Sequence, residues 1–212
     1  MKTNFSGMIK LGSILAMFAT AACVMLAFVY SGTSKIIEQR QLADIEAAVK
    51  ELFPDADGFE ETDEIKSPDS AVTIEIAYKA KKNGEIIGAV LELSRASYSG
   101  PILTMVGVSA DGFITGVKIM EHSDTPGLGA NAASPSYFVD SEKRITFYGQ
   151  FAGKHVTHPF RVKHDVIAIT ASTVTSHAVS ESVKAAGLAV HAWIAGEEVD
   201  VVSGASKEGG EK

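Results

Sequence analysis

The chain has 212 residues, with 19 basic and 26 acidic side chains and a formal net charge of −7. This length suits one ordinary domain with an additional segment. The acidic balance provides none of the clustered Lys and Arg that nucleic-acid binding requires, so we expect no nucleic-acid partner. The single cysteine excludes an internal disulfide framework and a cysteine-ligated iron–sulfur cluster. If the protein carries electrons, it therefore needs an organic cofactor.

The first predicted element is a membrane span. Residues 11–30 form a run of 20 residues without a charge, and as a helix this run is about 30 Å long, the hydrocarbon thickness of a bilayer. A cleaved signal peptide and a lipoprotein signal ending at Cys23 are the alternatives. The apolar run continues past Ala21 and Ala22, which favours a single uncleaved transmembrane helix, with residues 1–10 in the cytoplasm.

The flanking charges determine the orientation of this span only weakly. Lys2 and Lys10 lie on one side, and Lys35 and Arg40 lie on the other, so positive-inside counting is almost balanced. A short leader before a large C-terminal domain favours an exported domain. We therefore predict a single-pass protein of the cytoplasmic (inner) membrane, with its C-terminal domain on the extracytoplasmic, periplasmic side.

A stalk helix is predicted to follow over residues 31–53. Apolar residues recur every three to four positions within 34–53, and Pro54 ends the pattern. Residues 54–70 are acidic and rich in turn formers, which indicates a loop.

Two antiparallel hairpins come next. Apolar alternation over 72–78 leads to a turn at Lys82-Asn83-Gly84 and a return strand at 85–93. The second hairpin pairs 102–109 with 113–120 around a turn at 110–112. Residues 121–165 show no regular pattern.

A final helix carries an apolar stripe from Val179 to Ile194 and ends at Gly196. Residues 199–212 form a polar tail. The fold class predicted for the domain, residues 54–198, is α+β, with an antiparallel sheet flanked by helices.

Three loop segments could carry chemistry. The first, Ile169–Ser176, has five hydroxyl side chains in its last seven residues and precedes the final helix. Free backbone N–H groups at a helix N-terminus bind anions such as phosphate. The alternative is that Thr175 or Ser176 simply caps the helix.

The other two segments are turn-rich. His122–Ala130 contains Pro126-Gly127 and Gly129, which allow the backbone to approach a flat ligand closely, although an ordinary exposed turn has the same composition. Ser97–Ile102 is a turn that opens a strand. His155 and His158 are three residues apart but lack further ligands, so we predict no metal site. No nucleophile elbow, dinucleotide-binding or phosphate-loop motif is present.

Taken together and in order, SYSGPI, HSDTPGLGA and TASTVTS resemble one family. It is the covalent FMN-binding domain shared by the G subunit of the Rnf electron-transport complex and the C subunit of Na⁺-translocating NADH:quinone reductase. The resemblance extends from the membrane helix to the final helix. Thr170, Ala171 and Ser172 stand where the family pattern S-G-A-T-x-T-S commonly has Ser, Gly and Ala.

The resemblance implies that Thr173 carries FMN through a phosphoester, installed from FAD by an ApbE-type flavin transferase. It also implies two groups of cofactor-binding neighbours. These are Ser172, Val174, Thr175 and Ser176 around the phosphate, and Thr125, Gly127, Leu128 and Gly129 near the flavin ring.

The compact length favours the G subunit. The resemblance then implies an electron-carrier subunit of a membrane-bound, ion-translocating ferredoxin:NAD oxidoreductase, with the other membrane subunits as partners and no complete active site of its own. The alternatives are a C-type quinone-reductase subunit, a stand-alone exported flavoprotein, and a cofactor-free membrane-tethered adaptor.

Overall fold

The structure is a computed structural model that describes residues 5–197. It divides into two compact units, one that ends at Ala47 and one that begins at Ala48. The predicted polar tail, 199–212, lies outside the described residues, as do the first four residues of the predicted cytoplasmic segment.

The first element, α1, is one continuous α-helix, Phe5–Leu52. Among the described residues it is the one helix that is long and apolar enough to cross a membrane. Its large apolar side chains stand exposed, for example Phe28 at 81% and Leu15 at 72%. Such exposure is unfavourable in water and favourable in a bilayer, so this surface fits a membrane span.

The second unit contains a five-stranded antiparallel sheet in the order β1-β2-β3-β4-β5. The strands are β1 (Gly58–Glu61), β2 (Val72–Lys82), β3 (Glu85–Ala96), β4 (Pro101–Ser109) and β5 (Ile114–Glu121).

The turn of the first predicted hairpin is confirmed. Asn83 and Gly84 both have positive φ, 53° and 83°, as a tight turn between twisted strands requires. The second hairpin is confirmed except at Phe113, which precedes β5 and bridges His155 instead.

The prediction of a loop throughout 54–70 was wrong for β1. This strand pairs antiparallel with residues 78–81 of β2. Its sequence, GFEE, has no apolar alternation, and a single cross-strand neighbour holds it at the sheet edge. Pairing with a distant strand, rather than local pattern, therefore makes it a strand.

The final helix, α2 (Thr173–Ala195), packs on one face of the sheet. Its buried side includes Val179, Val183 and Val190, which join Leu91 and Val106 in the core. Gly196 has a φ of 70° and ends the helix as predicted.

The opposite face of the sheet is covered at β4 and β5 by the end of α1. Added Cβ atoms at Gly107 and Gly116 would meet Leu52 at 3.1 and 2.7 Å, so glycine at these positions allows the helix to approach the sheet closely. The α+β class with an antiparallel sheet flanked by helices is thus confirmed.

The segment after β5 is mostly irregular, as its sequence predicted. It contains a 3-10 helix at Gly129–Ala133, a short hairpin of β6 (Phe138–Asp140) and β7 (Ile145–Thr146), and a second 3-10 helix at Tyr148–Phe151. Phe147 and Phe151 are fully buried and extend the core beyond the sheet.

Candidate functional site

The three segments singled out in the sequence converge on one cavity of about 450 Å³. This volume lies within the range of small-molecule sites. The cavity lies at the N-terminal end of α2. Its lining residues are Tyr98, Asp124, Thr125, Leu128, Gly129, Ala171, Ser172, Thr173, Val174 and Thr175.

Seven of the nine predicted site residues line this cavity, and Gly127 and Ser176 do not. Gly127 supplies a turn with a φ of 78°, a conformation that glycine adopts without strain. Ser176 is fully buried within the first turn of α2.

The N-terminus of α2 is open to an anion. The first helical hydrogen bond runs from the N–H of Ser176 to the carbonyl of Ser172. Ser172, the N-cap residue, makes no side-chain capping bond, and the first turn has no acidic side chain. The N–H groups of residues 173–175 are therefore the free donors that a helix N-terminus offers to a phosphate. The hydroxyl group of Thr173 belongs to a half-buried residue at this position.

The alternative in which Thr175 or Ser176 caps the helix was wrong. The Ser176 hydroxyl donates to the Ser172 carbonyl at 2.9 Å and accepts from the Ile169 N–H at 2.9 Å. These two hydrogen bonds hold residues 169–172, the segment just before α2, close to the first turn of the helix. Thr175 also lies inside the helix, and its hydroxyl bonds a distant carboxylate.

That carboxylate belongs to Asp124, which joins the three segments. Its Oδ2 accepts hydrogen bonds from the hydroxyls of Thr175 at 2.7 Å and Ser97 at 2.8 Å. Its Oδ1 accepts from the backbone N–H of Ser99 at 3.1 Å. Asp124 is only 6% exposed. One buried side chain therefore fixes the β3–β4 turn, its own loop and α2 relative to one another.

The environment of Asp124 keeps it ionised. Burial by itself would raise the pKa of Asp124. The hydrogen bonds from Thr175, Ser97 and Ser99 outweigh burial, and His122 adds a smaller favourable interaction, so the pKa lies below its ordinary value. The carboxylate is thus a charged acceptor, which makes its hydrogen bonds stronger than those between neutral groups.

Gly129 packs directly against Asp124. A Cβ at this position would lie 2.6 Å from the Cβ and Oδ2 atoms of Asp124. Only glycine leaves room for the loop to close over the carboxylate without displacing it. This steric requirement explains the second glycine of the TPGLG segment.

Ala171 lies in the left-handed region, with a φ of 59°. A residue with a Cβ is strained in this conformation. The resemblance pattern has glycine at this position, and the observed φ supplies the physical reason. The chain reverses here to bring residues 172–175 into the cavity wall.

The mouth of the cavity is apolar and its floor is polar. Tyr98, Leu128 and Val174 line it and are 79%, 43% and 51% exposed. Asp124 and Thr175 lie buried below them. The apolar mouth fits a flat apolar ring, and the free N–H groups of residues 173–175 at the start of α2 fit an anionic end, and FMN combines these two groups. Among the described residues, no cluster of His, Cys, Asp and Glu is placed to hold a metal ion.

Sequence reasoning missed Ser97, Tyr98, Asp124 and Ala171 as site residues. Each lies inside a segment that the sequence had already marked. What the sequence did not show was that the three segments meet through one carboxylate.

Comparison with family models gives two matches. Residues 97–187 match the FMN-binding domain, and residues 1–52 match the RnfG N-terminal region. The first match spans the whole cavity, and the second spans α1. The fold, the site and these matches define a membrane protein with an FMN-binding domain.

Curated relatives resemble most of the chain. The G subunit of the Na⁺-translocating ferredoxin:NAD⁺ oxidoreductase complex of Acetobacterium woodii is 31% identical, over 82% of this chain and 87% of the relative. The G subunit of the ion-translocating oxidoreductase complex of Methanosarcina acetivorans is 30% identical, over 81% of this chain and 88% of the relative. The crystal structure of Shewanella oneidensis NqrC is 21% identical in sequence and has a TM-score of 0.40. The match covers 51% of this chain and 53% of the NqrC chain. This chain belongs to the family of G subunits of the Rnf complex.

Proposed function

We propose that this protein is the electron-carrying subunit of a membrane-bound, ion-translocating ferredoxin:NAD oxidoreductase, and that it works through FMN held covalently on Thr173. The observation that carries the proposal is the position of Thr173, at the first turn of α2 and in the wall of the cavity. The FMN-binding family model spans this position.

The proposed bond is a phosphoester between the Thr173 oxygen and the FMN phosphate. An ApbE-type transferase would supply FMN from FAD. The Thr173 hydroxyl loses its proton and displaces AMP, so the broken pyrophosphate bond is replaced by the new ester. Ser172, Val174 and Thr175 then surround a phosphate that the helix N-terminus stabilises. Ser176 holds the backbone that leads into this turn.

A bound flavin ring accepts electrons and passes them on. The protein's own contribution is to hold that ring in place. Thr125, Leu128 and Gly129 form one wall of the cavity, and Gly127 shapes the turn that presents them. Attachment through the phosphate leaves the ring chemically unaltered and prevents loss of the cofactor from an exported domain.

Two observations support the proposed setting: α1 is long and apolar enough to cross a membrane, and the relatives are subunits of ion-translocating complexes. One membrane-spanning helix anchors the domain on the extracytoplasmic side of the cytoplasmic membrane, beside the other membrane subunits of the complex. The chain acts there as a relay between partners rather than as a complete enzyme.

The test is co-expression of the full chain with an ApbE-type transferase, followed by a denaturing gel viewed under ultraviolet light and by intact-mass measurement. A fluorescent band and a mass increase equal to one FMN less water are expected. Thr173→Ala must abolish both, and Thr170→Ala, which removes a nearby exposed hydroxyl, must abolish neither. A dark wild-type band, or fluorescence that survives Thr173→Ala, contradicts the proposal.

Isolation in mild detergent tests the partners. Expected is co-purification with integral membrane subunits. Isolation of a flavin-bearing chain without such partners would instead support the stand-alone flavoprotein.

A further inference from the structure

An aromatic side chain stands at the mouth of the cavity. Tyr98 is 79% exposed and lines the cavity together with Thr173. It lies in the short turn between β3 and β4, which is closed by a hydrogen bond from the Ser97 N–H to the Gly100 carbonyl at 2.8 Å. A large apolar ring that remains in water forgoes the stabilisation that burial gives. The exposed ring of Tyr98 therefore presents apolar area that a flat ligand bound in the cavity can cover.

The backbone on both sides of Tyr98 is held by one buried group. The carboxylate of Asp124 accepts the Ser97 hydroxyl at 2.8 Å and the Ser99 N–H at 3.1 Å. The residue before Tyr98 and the residue after it are thus bound to the same side chain. A turn held at both flanks has far less freedom than an exposed turn usually has.

The same carboxylate also fixes the attachment end of the cavity. It accepts the hydroxyl of Thr175, two residues beyond Thr173 in the first turn of α2. Because these acceptor bonds go to an ionised and buried group, they are strong and directional. Asp124 therefore sets the position of Tyr98 relative to the helix turn that carries Thr173.

We propose that Asp124 is a positioning residue that holds the Tyr98 ring against the isoalloxazine ring of the FMN borne by Thr173. This proposal rests on the proposed function, since it needs the flavin. Two flat rings in offset contact bury apolar area and gain a further favourable interaction from their quadrupoles. Because the backbone of the turn is already held, Tyr98 loses less conformational freedom when it makes this contact than it would in a mobile turn.

The test uses the full chain in detergent, flavinylated in the cell, with FMN content fixed by intact mass for every variant. A tyrosine ring in contact with a flavin quenches its fluorescence by electron transfer, so the fluorescence yield per bound FMN and the visible circular dichroism report the contact. Tyr98→Leu is expected to raise the yield and to alter the dichroism. Phe113→Leu, a change to another exposed aromatic residue that does not line the cavity, is the matched control and is expected to change neither.

The role of Asp124 is tested by comparing single variants with double variants that also carry Tyr98→Leu. Asp124→Asn and Ser97→Ala are expected to raise the fluorescence yield in the same direction as Tyr98→Leu. In the Tyr98→Leu background Ser97→Ala is expected to add nothing, because the ring that it helps to position is already gone. If Asp124→Asn fails to fold or to bear FMN, Ser97→Ala alone decides, since it removes one of the two flanking bonds and leaves Thr175 bound.

The outcomes separate this proposal from the proposed function. Absence of FMN on the wild-type chain contradicts the proposed function. FMN present on Tyr98→Leu with unchanged fluorescence and dichroism overturns the contact. An altered Tyr98→Leu together with an unaltered Ser97→Ala and Asp124→Asn, or an additive effect of Ser97→Ala in the Tyr98→Leu background, overturns the positioning role.

Discussion

The hydroxyl of Thr175 donates a hydrogen bond of 2.7 Å to the carboxylate of Asp124, 51 residues earlier in the chain. Both residues are buried, at 1% and 6% exposure. This bond joins α2 to the loop after β5, two elements that are far apart in the sequence. The shape of the cavity depends on it.

Removal of this bond should weaken the domain. Thr175→Val keeps the branched shape and leaves a buried carboxylate with one donor fewer, so we expect a loss of about 1.5–3 kcal/mol in the free energy of unfolding. Thr175→Ser, which keeps the hydroxyl, is the control and should lose less. Urea unfolding of the detergent-solubilised chain, followed by the fluorescence of its single tryptophan, Trp193, measures both. Equal losses in the two variants would contradict the role of the hydroxyl.

The stability of the domain should fall in acid because of Asp124. The folded-state pKa of this group lies below its ordinary value, so its stabilising contribution is present above the unfolded pKa, about 3.9. The contribution is lost as the pH falls through the folded pKa. In Asp124→Asn the free energy of unfolding should therefore fall less steeply than in the wild type as the pH is lowered below about 5. Urea unfolding at a series of pH values tests this, and an unchanged acid dependence in the variant would count against it.

The predictable parts of the fold are those that local pattern determines. The two hairpins follow from apolar alternation around Asn83-Gly84 and Asp111-Gly112, and the end of α2 follows from Gly196. The strand β1 was not predictable, because its pairing with β2 and not its composition makes it a strand.

The candidate site shows the same division. The resemblance to one family predicted the Ser/Thr-rich segment and the TPGLG loop as cofactor-binding, whereas their local patterns alone left helix capping and an ordinary exposed turn open. The role of Asp124 depends on Ser97 and Thr175, which lie 27 residues before it and 51 residues after it. A contact between residues so far apart in the chain produces no repeating pattern in the sequence. The capping alternative failed for a related reason. The Thr175 hydroxyl donates to the distant Asp124 carboxylate, and the Ser176 hydroxyl donates to the Ser172 carbonyl, so neither caps the first-turn N–H groups.

Gly129 should be intolerant of any side chain. In Gly129→Ala the new methyl group would overlap the Asp124 side chain at 2.6 Å, which forces the loop outwards. We expect a loss of about 1–3 kcal/mol in the free energy of unfolding, together with a lower fraction of FMN-bearing chain by intact mass. Gly58→Ala in β1, where nothing lies within 4 Å, is the control. Full FMN incorporation with unchanged stability in Gly129→Ala would show that the loop does not need this close approach.

Ala171 offers a stabilising change. Its left-handed backbone strains a residue with a Cβ by about 1–2 kcal/mol, and glycine removes the strain at an entropic cost of about 0.5–1 kcal/mol. Ala171→Gly should therefore raise the free energy of unfolding by up to about 1 kcal/mol. Ala152→Gly, at an exposed residue with a φ of −59°, should lower it. If both variants lose stability equally, Ala171 is not strained.

The face of the sheet opposite α2 holds a carboxylate that should destabilise the domain near neutral pH. Glu92 on β3 is 7% exposed, and burial followed by the like charges of Glu75 and Glu121 raises the pKa of its side chain. A raised folded-state pKa favours the fold below the unfolded pKa, about 4.3, and this contribution is lost as the pH rises through the folded value.

Glu92→Gln removes the charge and keeps the shape, so the variant should be more stable than the wild type at pH 8 and no more stable at pH 4. Glu85→Gln, an exposed carboxylate at the start of the same strand, should show no such pH dependence. Urea unfolding of both variants at the two pH values makes the comparison. A Glu92→Gln variant that is less stable than the wild type at pH 8 would show that the ionised carboxylate stabilises the domain. In that case the two acidic neighbours would not govern its behaviour, and a favourable partner would have to outweigh them.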